Sequence, residues 1–282
     1  MLCRFYKYQG AGNDFLIADN RDGSICLSAE QIAFLCDRRY GIGADGLMLL
    51  EDSEDCSFRM VYYNSDGSGG MMCGNGGRCV VAFAADRGIS HFDFDAADGF
   101  HKANIIKDDH GVKTVKLKMK DVTGMTHYDR LGGVNVPSSG YFLDTGTRHY
   151  VRFVEGLDSY DIVHEGRTIR YKGHELEPIG ANVNFVESVG EGAIKVRTYE
   201  KGVEDETFAC GTGIVASAMA SYAHGVRPRI SENENGDINA MYTVYAKRDI
   251  LAVSFDVIKS EGWSAENVWL TGPAAFVAEI HI

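Results

Sequence analysis

The apolar and polar positions of this chain fall into two similar blocks. In the first, residues 57–63 (Ser-Phe-Arg-Met-Val-Tyr-Tyr) are rich in aromatic and branched side chains and predict a strand. A polar turn follows, Asn64-Ser-Asp-Gly-Ser-Gly-Gly70, and then Met72-Cys73-Gly74-Asn75-Gly76-Gly77. An apolar run through Val80, Val81, Ala82, Phe83, Ala84 and Ala85 predicts a buried helix, with Gly88 as its stop. In the second block, residues 193–199 (Ala-Ile-Lys-Val-Arg-Thr-Tyr) alternate as a half-buried strand does. The polar stretch from Glu200 to Thr207 leads to Ala209-Cys210-Gly211-Thr212-Gly213. An apolar helix through Ile214, Val215, Ala216, Ala218, Met219 and Ala220 then runs to a stop at Gly225. Aligned on Cys73 and Cys210, the glycines at 74 and 211, 76 and 213, and 88 and 225 coincide. So do the dipeptides Tyr63-Asn64 and Tyr199-Glu200 that leave the two strands.

A unit that occurs twice is too little for a solenoid. It predicts two similar lobes facing one another, each offering one cysteine at a helix start. Strands are also expected at 15–18, 47–50, 114–119, 150–154, 183–186, 251–257 and 275–282, and a short helix at 29–39. The stretch 122–137 is the expected boundary between lobes, and residues 231–239 read as a solvated loop.

Composition narrows the class. At roughly 150 residues per domain, 282 residues suggest two domains. An apolar content of 45% with 24% charged residues is that of an ordinary globular protein. A net charge of -12 argues against a nucleic-acid partner, which would want a basic footprint. No run of about 18 apolar residues is present, so no membrane span is expected. The start, Met1-Leu-Cys-Arg-Phe-Tyr-Lys-Tyr8, lacks an apolar export core, and a cytoplasmic location is expected. Seven cysteines (3, 26, 36, 56, 73, 79 and 210) at scattered spacings do not form a disulfide framework.

The chemistry suggested by the duplication is proton transfer. A thiol at a helix N-terminus feels the positive end of the helix dipole, which can lower its pKa from about 8.5 into a range of roughly 3.5–7.5. The N–H groups that follow form an anion site, and glycines there let a ligand approach the backbone. With an amino-acid carboxylate between two such helix starts, one sulfur, as thiolate, removes the α-proton from one face. The other, as thiol, returns a proton from the opposite face. Donors aimed at the carboxylate stabilise the planar carbanion more than the ground state. Two equivalent thiols also match acid to base. Other readings compete with this one. A lone cysteine before a helix is usually a small buried hydrophobe. The spacing from Cys73 to Cys79 is not a usual zinc pair, Cys79 lies in the apolar run, and no metal is expected. Neither glycine loop has a phosphate-loop or dinucleotide pattern.

Met72-Cys73-Gly74-Asn75-Gly76-Gly77-Arg78-Cys79 and Ala209-Cys210-Gly211-Thr212-Gly213 resemble the two signatures of the diaminopimelate epimerases. The similarity covers nearly the whole chain. Tyr8-Gln-Gly-Ala-Gly-Asn13-Asp-Phe15, Asn64-Ser-Asp-Gly-Ser68, Ala181-Asn182-Val-Asn-Phe185, Tyr199-Glu200-Lys201-Gly202 and Leu270-Thr-Gly-Pro-Ala274 match further blocks. The resemblance implies an α+β fold of two pseudo-symmetric lobes, 1–122 with 270–282 and 123–269. Each would be a twisted, mostly antiparallel sheet wrapped around a central helix, with the C-terminal strand returning to the first lobe. It implies cofactor-independent epimerisation of LL-diaminopimelate to the meso form, on the route to lysine and cell-wall precursors. Cys73 and Cys210 would be the acid/base pair, with His149 and Glu200 assisting. Gly74, Asn75, Gly211 and Thr212 would offer backbone N–H groups to the reacting carboxylate. Asn13, Asn64, Asn182, Glu200 and Lys201 would grip the distal end. The expected partner is a small amino acid, and a homodimer is among the assemblies the resemblance allows.

Two positions depart from the family pattern. Thr147-Arg148 stands where Asn-Pro is common before the histidine, and Lys201 where Arg is common after the glutamate. Lys lacks the bidentate fork that suits a carboxylate, and Arg148 is expected to compensate. A proline or hydroxyproline racemase, an isomerase with a carboxylate base, and a binding protein that keeps the cleft without catalysis are the alternatives.

Overall fold

The computed structural model describes residues 4–70, 72–232, 238–260 and 262–282. It divides into two compact units, residues 1–118 with 271–282, and residues 119–270. The division comes after Lys118 rather than at 122 because Met119 already belongs to the second unit: its N–H donates to Val268 O at 2.9 Å, and Val122 pairs with Ala265.

The first unit runs β1 (Arg4–Gly10), β2 (Asn13–Asp19), α1 (Ala29–Cys36), β3 (Gly46–Glu51), β4 (Phe58–Asn64), α2 (Gly74–Asp86), β5 (Asp93–Ala96), β6 (Gly99–Asp109) and β7 (Val112–Lys118). Pairing proceeds antiparallel from β1 to β2, parallel to β3, antiparallel to β4, parallel to β5, then antiparallel through β6 to β7. Each parallel step needs a crossover, and α1 and α2 lie in the two crossovers. Ser28 caps α1 with a capping box closed by Gln31, and the helix ends at Cys36, short of the expected 39.

The second unit runs β8 (Val122–Thr123), β9 (Thr126–Tyr128), β10 (Gly140–Asp144), β11 (Arg148–Phe153), α3 (Ile162–Lys172), β12 (Asn182–Gly190), β13 (Ala193–Glu200), β14 (Asp205–Thr207), α4 (Gly211–Ala223), β15 (Arg229–Glu232), β16 (Ile238–Tyr245) and β17 (Ile250–Ser260). From β10 through β11, β12, β13 and β16 to β17 the pairing again goes antiparallel, parallel, antiparallel, parallel, antiparallel. The duplication seen around the cysteines therefore extends to the topology, with α3 and α4 in the crossovers. The loop expected at 231–239 is strand at both of its ends. Residues 231 and 232 close β15, residues 238 and 239 open β16, and 233–237 lie outside the described residues, as do Met1 to Cys3 of the N-terminal reading.

The last strand, β18 (Gly262–His281), pairs with β8 through Ser264 and Ala265, then with β7 and β1 from Gly272 onward. Its return closes the first unit's sheet into a ring around α2. The two central helices are mostly apolar around their circumference, as buried helices tend to be. Gly74 to Ala84 and most of α4 are inaccessible. Phe83 of α2 meets the rings of Tyr6 and Tyr8 at 5.3 and 5.9 Å, and such a fully buried ring contributes roughly 2–3 kcal/mol. Ser217 and Ser221, buried in α4, donate to the carbonyls of Gly213 and Ser217, both at 2.7 Å, so no orphan hydroxyl remains. Both helices end as the glycines foretold. Gly88 and Gly225 adopt φ of 82° and 90°. Gly88 N–H donates to Ala85 O and Ile89 N–H to Ala84 O, and the same pattern links Gly225 to Tyr222 and Val226 to Ser221, the paired bonds of a Schellman motif.

Candidate active site

Cys73 and Cys210 are the N-cap residues of α2 and α4. In any helix the first-turn N–H groups project beyond the N-terminus. In these two they belong to Gly74 and Asn75, and to Gly211 and Thr212. Cys73 Sγ accepts the N–H of Gly76 at 3.2 Å, a bond that stabilises negative charge on sulfur. The Cys210 side chain makes no capping bond to the first turn of α4; its Sγ lies 3.5 Å from Thr212 Oγ1. None of the described cysteines is in a disulfide. Burial pushes the Cys36 thiol up to about 11 and also raises Cys79, so these two thiols are held protonated and serve packing.

Register puts the site residues of each unit on one face. In the first unit, Asn13 and Phe15 on β2, Gly46 and Met48 on β3, and Tyr62 and Asn64 on β4 point toward α2. Asn13 Nδ2 donates to Asp45 Oδ2 at 3.1 Å, and its Oδ1 accepts from Asn75 Nδ2 at 2.5 Å. Asn75 Oδ1 in turn accepts from the buried Arg78 Nη2 at 2.8 Å. Asn64 ends β4, and its Nδ2 donates to Ser68 Oγ across the turn at 3.0 Å. Next to Asp45, burial raises the Asp14 carboxyl, but bonds from Arg38 and Lys7 outweigh it and hold the group at about 2.

In the second unit, His149 pairs with Asn182 and Asn184 with Thr198, so these four and Glu200 share the face toward α4. His149 is fully buried, and burial depresses its pKa to about 3, which leaves the ring neutral. Its tautomer follows from its partners. Asn184 Nδ2 donates to Tyr150 O at 3.3 Å and to His149 Nδ1 at 3.1 Å, while Asn184 Oδ1 accepts from Thr198 Oγ1 at 2.9 Å. Nδ1 is thus an acceptor, and the single ring proton sits on Nε2. That nitrogen lies 2.9 Å from both Thr147 Oγ1 and Thr212 Oγ1. His149 therefore reaches Cys210 through a hydroxyl, not directly.

Asn182 Oδ1 accepts the N–H of Lys201 at 2.9 Å, and its Nδ2 donates to Arg148 O at 3.2 Å. Glu200 accepts from Thr207 Oγ1 at 2.8 Å. The turn behind them is anchored by Glu204. Burial raises its carboxyl, but Arg170, Gly202 N–H and Tyr199 outweigh this and hold it at about 2. Arg148 does not take the compensating role expected of it. Alternation puts it on the α3 face with Tyr150, and its guanidinium lies 5.0 Å over the Phe142 ring. Lys201 is exposed in the turn beyond β13.

One expectation about the glycines also changes. A Cβ on Gly213 would stand 2.4 Å from Asn184 Oδ1 and 3.2 Å from His149 Cε1. This glycine admits the histidine and its asparagine to the helix start. Asp45, Asn184 and Thr198 were missed from sequence, and Thr147 was marked only as a departure from the family pattern. The spacing of Asn182-Val-Asn184 on a strand was the available signal, since alternate residues share a face.

The model of the diaminopimelate epimerase family matches residues 5–123 and 141–242. The chain belongs to the diaminopimelate epimerase family. It is 42% identical over 285 residues to a diaminopimelate epimerase of Flavobacterium psychrophilum, covering 99% of this chain and 100% of that one. It is 46% identical over 220 residues to one of Chlorobaculum tepidum, covering 77% and 82%. Among solved structures, a Bacillus anthracis phenazine biosynthesis protein of the PhzF family superposes with a TM-score of 0.68 at 16% identity, covering 100% and 99% of the two chains. A probable proline racemase from Agrobacterium radiobacter does so with 0.68 at 15%, covering 99% and 92%. At those identities the likeness shows the fold: the two-lobed architecture that diaminopimelate epimerases share with these proteins. The family is one of isomerases. Among the described residues no helix is long and apolar enough to cross a membrane, and no three His, Cys, Asp or Glu side chains gather as a metal would require.

Proposed function

We propose that this protein epimerises LL-diaminopimelate to meso-diaminopimelate without a cofactor, using Cys73 and Cys210 as the proton-transfer pair. The observation that carries the reading is the repetition of one device. Two topologically equivalent units each present a cysteine as the N-cap of a buried, glycine-opened helix. In this reading the N–H groups of Gly74 and Asn75 and those of Gly211 and Thr212 serve the α-carboxylate of the substrate. Helix dipoles add to those N–H groups as charge develops on the carboxylate in the carbanion. One thiolate takes the α-proton, the other cysteine delivers one to the opposite face, and the configuration inverts. Asn13, Asn64, Asn182 and Glu200, on the α2 and α4 faces of their sheets, hold the distal end, with Lys201 in the turn beside them. Product formed this way feeds lysine and cell-wall precursor synthesis.

The test is conversion of LL-diaminopimelate in deuterated water. Wild-type protein is expected to form meso product carrying deuterium at one α-carbon. Cys73→Ala and Cys210→Ala are each expected to lose stereoinversion by several orders of magnitude. Wild-type turnover in either variant would end the two-thiol mechanism, and a binder without catalysis would exchange no deuterium at all.

A further inference from the structure

The two thiols stand on different ground. Strand by strand, His149 occupies the register position of Phe15, Asn184 that of Met48 and Thr198 that of Tyr62. On the Cys73 side these positions hold two apolar side chains and a tyrosine, and the sulfur is served by a fixed backbone donor, Gly76 N–H. Beneath Cys210 the sheet carries a polar chain that ends in hydroxyls. Thr147 Oγ1, Thr212 Oγ1 and His149 Nε2 form a triangle with edges of 2.9, 2.9 and 3.0 Å, and Cys210 Sγ extends it from Thr212 Oγ1 at 3.5 Å. Thr145 Oγ1 donates to Thr212 O at 2.9 Å and clamps the loop before β11 onto the start of α4.

We propose that Thr147 and Thr212 form with His149 a hydroxyl relay that hydrogen-bonds Cys210 in both of its protonation states, Thr147 acting as a positioning residue. The inference rests on the proton-transfer reading of Cys210 given above. Its basis is a count of protons. The triangle holds three: one on Nε2, fixed there by Asn184, and one on each hydroxyl. With Cys210 as thiolate, Thr212 O–H donates to sulfur, Thr147 O–H donates to Thr212 Oγ1, and Nε2–H donates to Thr147 Oγ1. With Cys210 as thiol, S–H donates to Thr212 Oγ1, Thr212 O–H turns to Thr147 Oγ1, and Thr147 O–H turns outward. Nε2–H donates to a hydroxyl in both arrangements. Two hydroxyl rotations follow each proton that Cys210 gains or loses, and no heavy atom moves. An acid in one direction of an epimerisation is the base in the other, so a site that serves both states without rebuilding lowers the reorganisation cost of each.

The charged and titratable groups on the elements around this corner are few. His149 stays neutral on β11. Glu200 ends β13 on the same face, Asp144 ends β10 with an oxygen on Gly146 N–H, and Lys120 approaches Gly146, its Cδ 3.9 Å from where a Cβ would stand. Burial, not the threonine hydroxyls, keeps His149 neutral, and the bond of Asp144 to Gly146 N–H involves neither hydroxyl.

The experiment is peptide-resolved alkylation with iodoacetamide across pH, read by mass spectrometry at Cys210 and, as internal reference, at Cys73. Thr212→Val and Thr147→Val are expected to move the midpoint at Cys210 up by about one pH unit, a tenfold loss of thiolate at neutral pH, the size of one charge-assisted hydrogen bond. Thr212→Ser and Thr147→Ser, which keep the hydroxyl, are expected to retain the wild-type midpoint, and the midpoint at Cys73 is expected to stay put throughout. Thr147 is exposed, so its valine variant tests the relay even where Thr212→Val does not fold. An unchanged midpoint in Thr147→Val, or a serine variant that shifts as far as its valine counterpart, overturns the relay. That result beside intact stereoinversion of diaminopimelate leaves the epimerase reading standing. The expected shifts in a wild-type protein that inverts no substrate uphold the relay and remove the reading.

Discussion

The neutral His149 makes a quantitative demand on stability. A histidine that titrates at about 3 in the folded protein and near 6.5 when unfolded binds fewer protons folded than unfolded across that window. Its contribution is complete above pH 6.5 and is lost as pH falls toward 3, so lowering the pH destabilises the fold. From pH 7.5 to 4.5 the linkage integral amounts to about 2.7 kcal/mol, close to 1.4 kcal/mol per unit below pH 6.5. The assay can be confined to the unit that matters. The protein's two tryptophans, Trp263 and Trp269, both lie in the second unit, so urea unfolding followed by intrinsic fluorescence reports on the unit that holds His149. The perturbation is His149→Gln, which keeps a donor near the threonines and cannot titrate. The variant is expected to be less stable at pH 7.5, because Asn184 loses one of its two acceptors. It is also expected to lose about 2–3 kcal/mol less than wild type on going to pH 4.5. Equal acid sensitivity in the two proteins would mean that His149 is protonated or solvated in the native state, and the tautomer and the relay built on it would fall with it.

Four further outcomes follow, three from close approaches and one from an anchored turn. Gly213→Ala drives a methyl against Asn184 and His149 and is expected to cost roughly 1–3 kcal/mol in urea unfolding and to slow alkylation of Cys210. Gly76→Ala meets nothing nearer than Cys73 Sγ at 3.2 Å and is expected to be the milder of the two; the reverse order in thermal melts would contradict this packing. Gly166→Ala should destabilise α3 despite alanine's helix advantage of about 1 kcal/mol, because its Cβ would stand 2.4 Å from Tyr199 Cβ, and a stabilised variant in fluorescence unfolding would refute that contact. Glu204→Gln loses the charged partner of Arg170; with a third of that side chain exposed, about 1 kcal/mol is expected near pH 7, shrinking as pH falls from 4.5 toward 2, and a difference independent of pH would show that the carboxylate charge is not what holds the turn.

Local patterns announced much of this architecture. The two cysteine helices, their glycine stops and the flanking strands were legible because each is set by residues close in sequence: an apolar run for burial, a left-handed glycine for the end, alternation for the sheet. Helix α3 was not read, since Gly166 breaks its pattern and finds its reason only in Tyr199 on another strand. The loop expected at 231–239 gave way to strand at its two ends for the same kind of reason. Its polar residues look solvated one by one, yet Ser231 and Glu232 gain strand bonds from Asn239 and Ile238 once the hairpin forms. The thiols themselves could be picked out by their repeated setting, and family motifs marked His149, Asn182 and Glu200. What no linear pattern contains is which way each side chain faces and whom it meets. The sequence by itself determined two buried helices, each led by a cysteine. Tertiary structure decided that one cysteine stands over phenylalanine and methionine and the other over histidine, asparagine and threonine, because that difference arises from the register of strands distant in the chain, and register is settled only when the sheet closes around its helix.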